Sequence, residues 1–171
     1  QLPLTDEAEV EKVKKLAAML DVKKLYLVAF TPVLKALVER CHHKNYFVLG
    51  KIAMFRLAAT IAKKEGADFL ITGENLAQVS SQTLSNLTTI TKAVPMEIFR
   101  PVLTYDKQEI INKAKEIETY DISKGPEICN LLGPKAPATK SDIEKINSEL
   151  DQANLDELFE TSLKDAEVIE Y

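Results

Sequence analysis

The sequence predicts an α/β fold built on part of a doubly wound parallel sheet, and three observations lead there. Short apolar runs alternate with helix-length amphipathic segments, the pattern of strand–helix–strand units whose crossover helices cover a parallel sheet on both faces. With 171 residues, 46% of them hydrophobic and 28% charged, the chain has the profile and size to bury a core. Only three strand-like runs are visible. The sheet therefore calls for further strands from an upstream segment, a partner or a second copy, because an open sheet edge is normally covered.

Taken in order, Thr5 is placed to cap a first helix, with Asp6 and Glu7 in its positive first turn. Val10, Val13, Leu16, Ala17 and Leu20 then share one helical face. Residues 25–30 read as a short buried strand. Thr31-Pro32 opens a helix to about Glu39, with Pro32 where its missing N–H costs nothing. Residues 41–45 form a connection, and residues 47–65 a long helix with Ile52, Phe55, Ala59 and Ala62 as its apolar stripe. Lys63 and Lys64 suit its negative end, and Gly66 is a left-handed stop.

Residues 68–72 form the second strand. Ser80 or Ser81 is expected to cap a helix carrying Leu84, Leu87, Ile90 and Val94. Residues 97–99 make a third strand before Arg100-Pro101, and Asp106 caps a helix through Ile117. Residues 118–138 contain Gly125, Pro126, Gly133, Pro134 and Pro137, which predicts a long loop. Ser141 is expected to cap an acidic amphipathic helix, with another over residues 155–163.

A net charge of −4 and a pI near 5.3 argue against a self-sufficient nucleic-acid binder. They allow RNA delivered by another domain. Cys41 and Cys129, without CxxC spacing, make neither a zinc site nor a disulfide framework, so a reduced, cytoplasmic protein is the expectation. His42 and His43 read as surface histidines, because no cysteine or carboxylate motif frames them, and no metal site is expected. The longest mainly apolar run, residues 25–30, is too short to cross a bilayer, so no membrane role is expected.

Ligands of open parallel sheets bind beyond the carboxyl ends of the strands. The informative segment is therefore residues 72–83, TGENLAQVSSQT, directly after the second strand. Gly73 lets backbone approach a ligand closely, and Glu74, Asn75, Gln78, Ser80, Ser81 and Gln82 crowd donors and acceptors near a helix start, which favours anionic phosphate. A capped polar loop of no further function fits the same residues.

Residues 72–83 closely resemble the T-G-E-x-L-G-Q-V-x-S-Q-T signature of the tRNA 4-thiouridine synthetase family, ThiI. Residues 51–59 resemble the family's K-R-M-M-x-R-A-A helix. Arg100-Pro101 with residues 105–111 resembles its R-P-L-I-x-x-D-K-E-E-I-I segment, and Pro126-Glu127-Ile128-Cys129 its P-E-x-C loop. Residues 5–20 fit the helix after the family's second strand, and residues 139–171 resemble the segment preceding a sulfur-carrier domain. The resemblance covers essentially the whole chain, with motifs in order.

It implies a Rossmann-like, adenine-nucleotide hydrolase-like (PP-loop ATPase) fold. Residues 1–138 would form a partial domain of that type, and residues 139–171 an acidic helical tail packed on it. It implies an ATP-dependent tRNA sulfurtransferase, with Mg expected alongside ATP: a uridine C4 carbonyl is adenylated, pyrophosphate leaves, and a persulfide sulfur displaces AMP to give 4-thiouridine. Many bacterial members also serve thiamine thiazole synthesis. The tRNA would be held by a domain outside this chain, and sulfur delivered by a protein of rhodanese or cysteine desulfurase type.

Residue by residue, Lys51 matches a family lysine implicated in adenylation, where an ammonium offsets charge developing on phosphate. By residue type alone it reads as a solvated helix lysine. Cys129 matches the cysteine that attacks the persulfide or resolves it into a disulfide; by residue type alone it reads as a buried free cysteine. Gly73, Glu74, Gln78, Ser81 and Gln82 would shape the nucleotide site. Arg56 is placed either to contact phosphate or to make a helix-surface salt bridge.

The sequence also departs from the family pattern. Its five glycines include no adjacent pair, so the S-G-G-x-D-S loop that cradles pyrophosphate is absent from these residues. Ala77 and Glu118 replace family glycines, and Ile52 replaces an arginine. Two readings follow. Either the chain, which starts at Gln1, is part of the catalytic domain of a longer enzyme, or it is a degenerate, non-catalytic binding or assembly module that pairs with itself or a partner.

Overall fold

The computed structural model describes residues 7–76, 78–125 and 132–171. Thr5 and Asp6, expected to start the first helix, lie outside them. That helix, α1, spans Glu7–Met19. Asp21 at φ 53° and a Val22 N–H to Ala17 carbonyl bond close it.

β1 is Lys24–Leu27, shorter than the apolar run suggests and half-buried where a buried strand of the parallel sheet is expected, because it lies in a separate two-stranded sheet. Phe30 sits in the core at 7% exposure and opens α2, Thr31–Arg40, with Pro32 in the first turn. α3, Tyr46–Lys64, is the central helix: Val48, Leu49, Ile52, Ala53, Leu57 and Ala59 are all buried. Gly66 takes φ 72°, the left-handed conformation that lets the chain turn back at once into β2, Phe69–Ile71.

After the turn, Ser80–Gln82 form a 3-10 turn instead of a cap. Thr83 caps α4, Leu84–Ala93, through its hydroxyl, which accepts from Asn86 N–H at 3.2 Å. Residue 83 has the extended backbone a cap requires. β3, Glu97–Phe99, follows. α5, Lys107–Glu116, starts with a reciprocal capping box between Asp106 and Glu109. Residues 118–138 are not all loop: α6, Tyr120–Ser123, occupies part of them. The next cap falls to Asp142 and not Ser141, since its carboxylate accepts from Glu144 and Lys145 N–H at the start of α7, Ile143–Ala153. α8 is Asp156–Lys164, and β4 is Glu167–Glu170.

The strands form two separate pairs. β2 and β3 are parallel, with Phe69 opposite Glu97, Leu70 opposite Ile98 and Ile71 opposite Phe99. β1 pairs antiparallel with β4, Lys24 opposite Glu170 through Leu27 opposite Glu167. β4 is the element the sequence hides: four residues with charged ends give almost no strand signal. Tyr171 fastens it, its N–H on the Lys23 carbonyl and its hydroxyl on the Lys14 carbonyl.

The core is one cluster around α3, filled by α2, by Ile90 of α4 and by Ile146, Leu150 and Ala153 of α7. Leu70 and Ile98 pack on it from one face of the parallel pair. The other face carries Phe69, Ile71 and Phe99 at 45%, 67% and 55% exposure. Phe69 and Phe99 meet edge to face at 4.7 Å. A parallel pair with one bare apolar face is not stable by itself in water.

Candidate active site

β2 and β3 run the same way, so their carboxyl ends open on the same edge. Two backbone bonds there, Thr72 N–H to Phe99 carbonyl at 3.0 Å and Leu76 N–H to Leu103 carbonyl at 2.8 Å, bind the turn after β2 to the turn after β3. The Asn75 side chain locks the join. Its Nδ2 donates to the Val102 carbonyl at 2.7 Å and to the Tyr105 carbonyl at 2.5 Å, and the residue is 4% exposed. Those two carbonyls would otherwise face a buried polar residue without a donor.

Within this joined pair of turns, Glu74 is the centre. Its side chain is 5% exposed, and a buried carboxylate persists only with cationic partners. Lys51 Nζ, from α3, lies 2.7 Å from Oε1, and Arg100 Nε, from the first residue after β3, lies 2.8 Å from Oε2. The Thr72 hydroxyl makes a longer contact to Oε2 at 3.4 Å. Two cations on one carboxylate leave the cluster one positive charge in excess, at the sheet edge where ligands bind.

The remaining residues singled out in the sequence are placed unequally. Gln82 turns its Oε1 back to Asn75 N–H at 3.4 Å, and Ser81 is buried at 4% exposure beneath the turn. Gln78 is exposed. A Cβ on Gly73 would meet nothing within 4 Å, so nothing in this chain's packing calls for glycine there. Arg56 stands apart from Glu74's partners: its Nε donates to the Ala93 carbonyl at 2.9 Å, capping the end of α4. Cys129, with Pro126, Glu127 and Ile128, lies outside the described residues. The chain that follows them is fixed near the turn, because Asn86 Nδ2 joins the Ser80 and Ala138 carbonyls at 2.8 Å each and the Thr83 hydroxyl donates to the Thr139 carbonyl at 2.6 Å.

Arg100 is the partner of Glu74 that sequence reasoning did not assign to the site. An arginine directly after a short parallel strand was the available signal, since that position opens on the ligand edge. His42 and His43 serve the backbone: His42 Nδ1 accepts from Lys44 N–H, and His43 Nε2 is 2.9 Å from the Leu132 carbonyl. Among the described residues no helix is long and apolar enough to cross a membrane.

The family model for the thiamine biosynthesis protein (ThiI) matches residues 1–155. A probable tRNA sulfurtransferase of Moorella thermoacetica is 36% identical over 173 residues, covering 98% of this chain and 44% of the relative. One of Thermus thermophilus is 37% identical over 175 residues, covering 99% and 43%. Among solved structures, a 4-thiouridine synthetase–RNA complex with bound ATP superposes with a TM-score of 0.89 at 35% identity, over 98% of this chain and 46% of that one. The chain thus spans less than half the length of these relatives and has the partial α/β fold of the synthetase. With the family model matching residues 1–155 and the fold shared over nearly the whole chain, the chain belongs to the ThiI family.

Proposed function

We propose that this chain is part of the catalytic domain of an ATP-dependent tRNA sulfurtransferase, the complete protein converting a tRNA uridine to 4-thiouridine. The observation that carries the reading is the Glu74 cluster: a surplus positive charge, built into the family's signature turn, at the carboxyl edge of a parallel strand pair. The anionic phosphates of ATP fit a site of that charge, and Mg would enter with them and not on the Glu74 cluster, whose two carboxylate oxygens are taken by Lys51 and Arg100. Gly73, Glu74, Gln78, Ser81 and Gln82 shape the nucleotide pocket, and Lys51 supplies an ammonium where phosphate charge develops. Arg56, with its Nε on the Ala93 carbonyl, is the further candidate for a phosphate contact through its terminal nitrogens. Cys129 is the sulfur-handling residue.

Residues 1–138 form the partial ATPase unit, and residues 139–171 its acidic helical tail. The apolar face of Phe69, Ile71 and Phe99 is covered by a segment of the longer protein, whose added strands complete the sheet. The tRNA is gripped by another domain, sulfur comes from a rhodanese- or desulfurase-type protein, and the setting is cytoplasmic.

The test is reconstitution of the complete protein with tRNA, ATP and a sulfur donor. Cys129→Ser is expected to keep pyrophosphate release and lose thiouridine; unchanged thiouridine removes Cys129 from the reaction. The second reading, a non-catalytic module, is favoured by the same bare face. It predicts a stable dimer of the 171-residue chain by size-exclusion light scattering, with Ile71→Thr and Phe99→Thr dissociating it, and no pyrophosphate release from the complete protein.

A further inference from the structure

Arg100 has a donor to spare. Its side chain is 10% exposed, Nε is spent on Glu74, and Nη1 reaches the Ile98 carbonyl only at 3.5 Å. Nη2 is buried with no hydrogen-bond partner among the described residues. Leaving a buried charged donor unmet is costly, and such groups are rare in folded proteins unless something else satisfies them. Lys51, at 22% exposure, is the more accessible of the two cations on Glu74, whose own side chain is 5% exposed.

We propose that Arg100 is an oxyanion-binding residue: Nε stays on Glu74 while Nη2 is satisfied by an oxygen of a phosphate-type ligand. Lys51 shares that oxyanion. The difference in burial divides the work between the cations. When Lys51 turns to the ligand, Glu74 keeps Arg100 and is not left buried without a counter-charge, a loss that strongly destabilises. With one cation on Glu74 the exchange would orphan the carboxylate; with two it does not. Arginine suits the fixed role because its planar fork serves a carboxylate and a phosphate at once, which an ammonium does poorly. The assignment rests on residues 72–83 forming a ligand site, and adds the ligand's charged group and the residue that meets it.

The experiment uses the complete protein, with inorganic pyrophosphate and adenosine as separate probes at matched ionic strength. At about 10 mM pyrophosphate the melting temperature of the unmodified protein is expected to rise, since a ligand of the folded state shifts unfolding by mass action. Arg100→Lys retains a cation for Glu74 but replaces the planar fork by a single nitrogen, which does not reach carboxylate and ligand from two separate positions, and is expected to weaken pyrophosphate about tenfold. A purely structural Arg100 predicts a lower melting temperature for Arg100→Lys with an undiminished pyrophosphate increment, and that outcome overturns the assignment. So does a lack of any increment in the unmodified protein. Side-chain nitrogen resonances supply a reading that needs no variant. Among Arg40, Arg56 and Arg100, pyrophosphate should shift the Arg100 signals most, and a shift confined to the other two refutes the proposal. An Arg100-dependent pyrophosphate response with no effect of adenosine upholds the oxyanion assignment while removing the adenine-nucleotide reading. An adenosine response with Arg100 indifferent to pyrophosphate does the reverse.

Discussion

Glu74 Oε1 lies 2.7 Å from Lys51 Nζ, a bond that ties the turn after β2 to the second turn of α3. Because Arg100 holds the other carboxylate oxygen, the two cations are not equivalent in what their loss costs. Replacing Glu74 by Ala leaves two buried or half-buried cations facing each other and is expected to destabilise the chain by about 3–5 kcal/mol. Lys51→Met leaves the carboxylate with Arg100 and is expected to cost about 1 kcal/mol or less, the range of a partly exposed ion pair. Urea unfolding of both variants measures the gap; equal losses would show that Arg100 does not stabilise Glu74.

Gly73 separates packing from ligand approach. Its φ is not among the positive ones, and an added Cβ meets no atom within 4 Å. Gly73→Ala is therefore expected to be neutral or to stabilise by about 0.4–1 kcal/mol, through the less flexible unfolded chain. Loss of thiouridine formation in the complete enzyme, with stability kept, would mark the open space as ligand space. A destabilised variant would contradict the open geometry.

Glu118 stands where the family pattern has glycine, and its φ of 60° gives the reason. Thr119 N–H reaches the Ala114 carbonyl at 2.9 Å and Glu118 N–H the Lys115 carbonyl at 3.1 Å, so residue 118 is the left-handed stop of α5. A non-glycine side chain there costs roughly 1–2 kcal/mol, part of which glycine returns as unfolded-state entropy. Glu118→Gly is expected to raise stability by about 0.5–1 kcal/mol in thermal or urea unfolding.

Cys41 provides a control for Cys129. Burial first, then the nearby Glu149 carboxylate, pushes its thiol up to about 11, with Arg40 acting in the opposite sense. Its Sγ donates to the Glu149 carbonyl at 3.5 Å. At pH 7.5 it is a protonated thiol and should alkylate slowly, the rate climbing as pH rises toward 11. The linked stability has a definite sign: a raised folded pKa favours the thiol form, so its contribution is whole below about pH 9 and is lost as pH climbs toward about 11. Mass-spectrometric alkylation of Cys129→Ser across that range reads Cys41 alone; rapid labelling at pH 7.5 would contradict the burial.

Much of the fold was legible because its signals are local. Asp106 and Glu109 stand three residues apart and close their own capping box. Gly66 ends α3 wherever the rest of the chain goes, and the stripe of Ile52 and Ala59 is a matter of helical period. The signature turn could be picked out in the same way, as polar residues directly after an apolar run. Where neighbours competed for one task, position alone could not choose: Thr83 took the cap expected of Ser80 or Ser81, and Asp142 that expected of Ser141.

What the amino-acid order determined by itself was therefore the longer helices, the parallel strand pair, the capping box of α5, and residues 72–83 as a polar turn directly after a strand. What only the tertiary structure decided was partnership. β1 meets β4 from the far end of the chain, Arg56 is drawn to the end of α4, and Arg100 closes on Glu74 across 26 positions. The physical reason is range: propensity and capping act within a few residues, whereas the choice of cation for a buried carboxylate depends on which strand ends the fold brings to one edge.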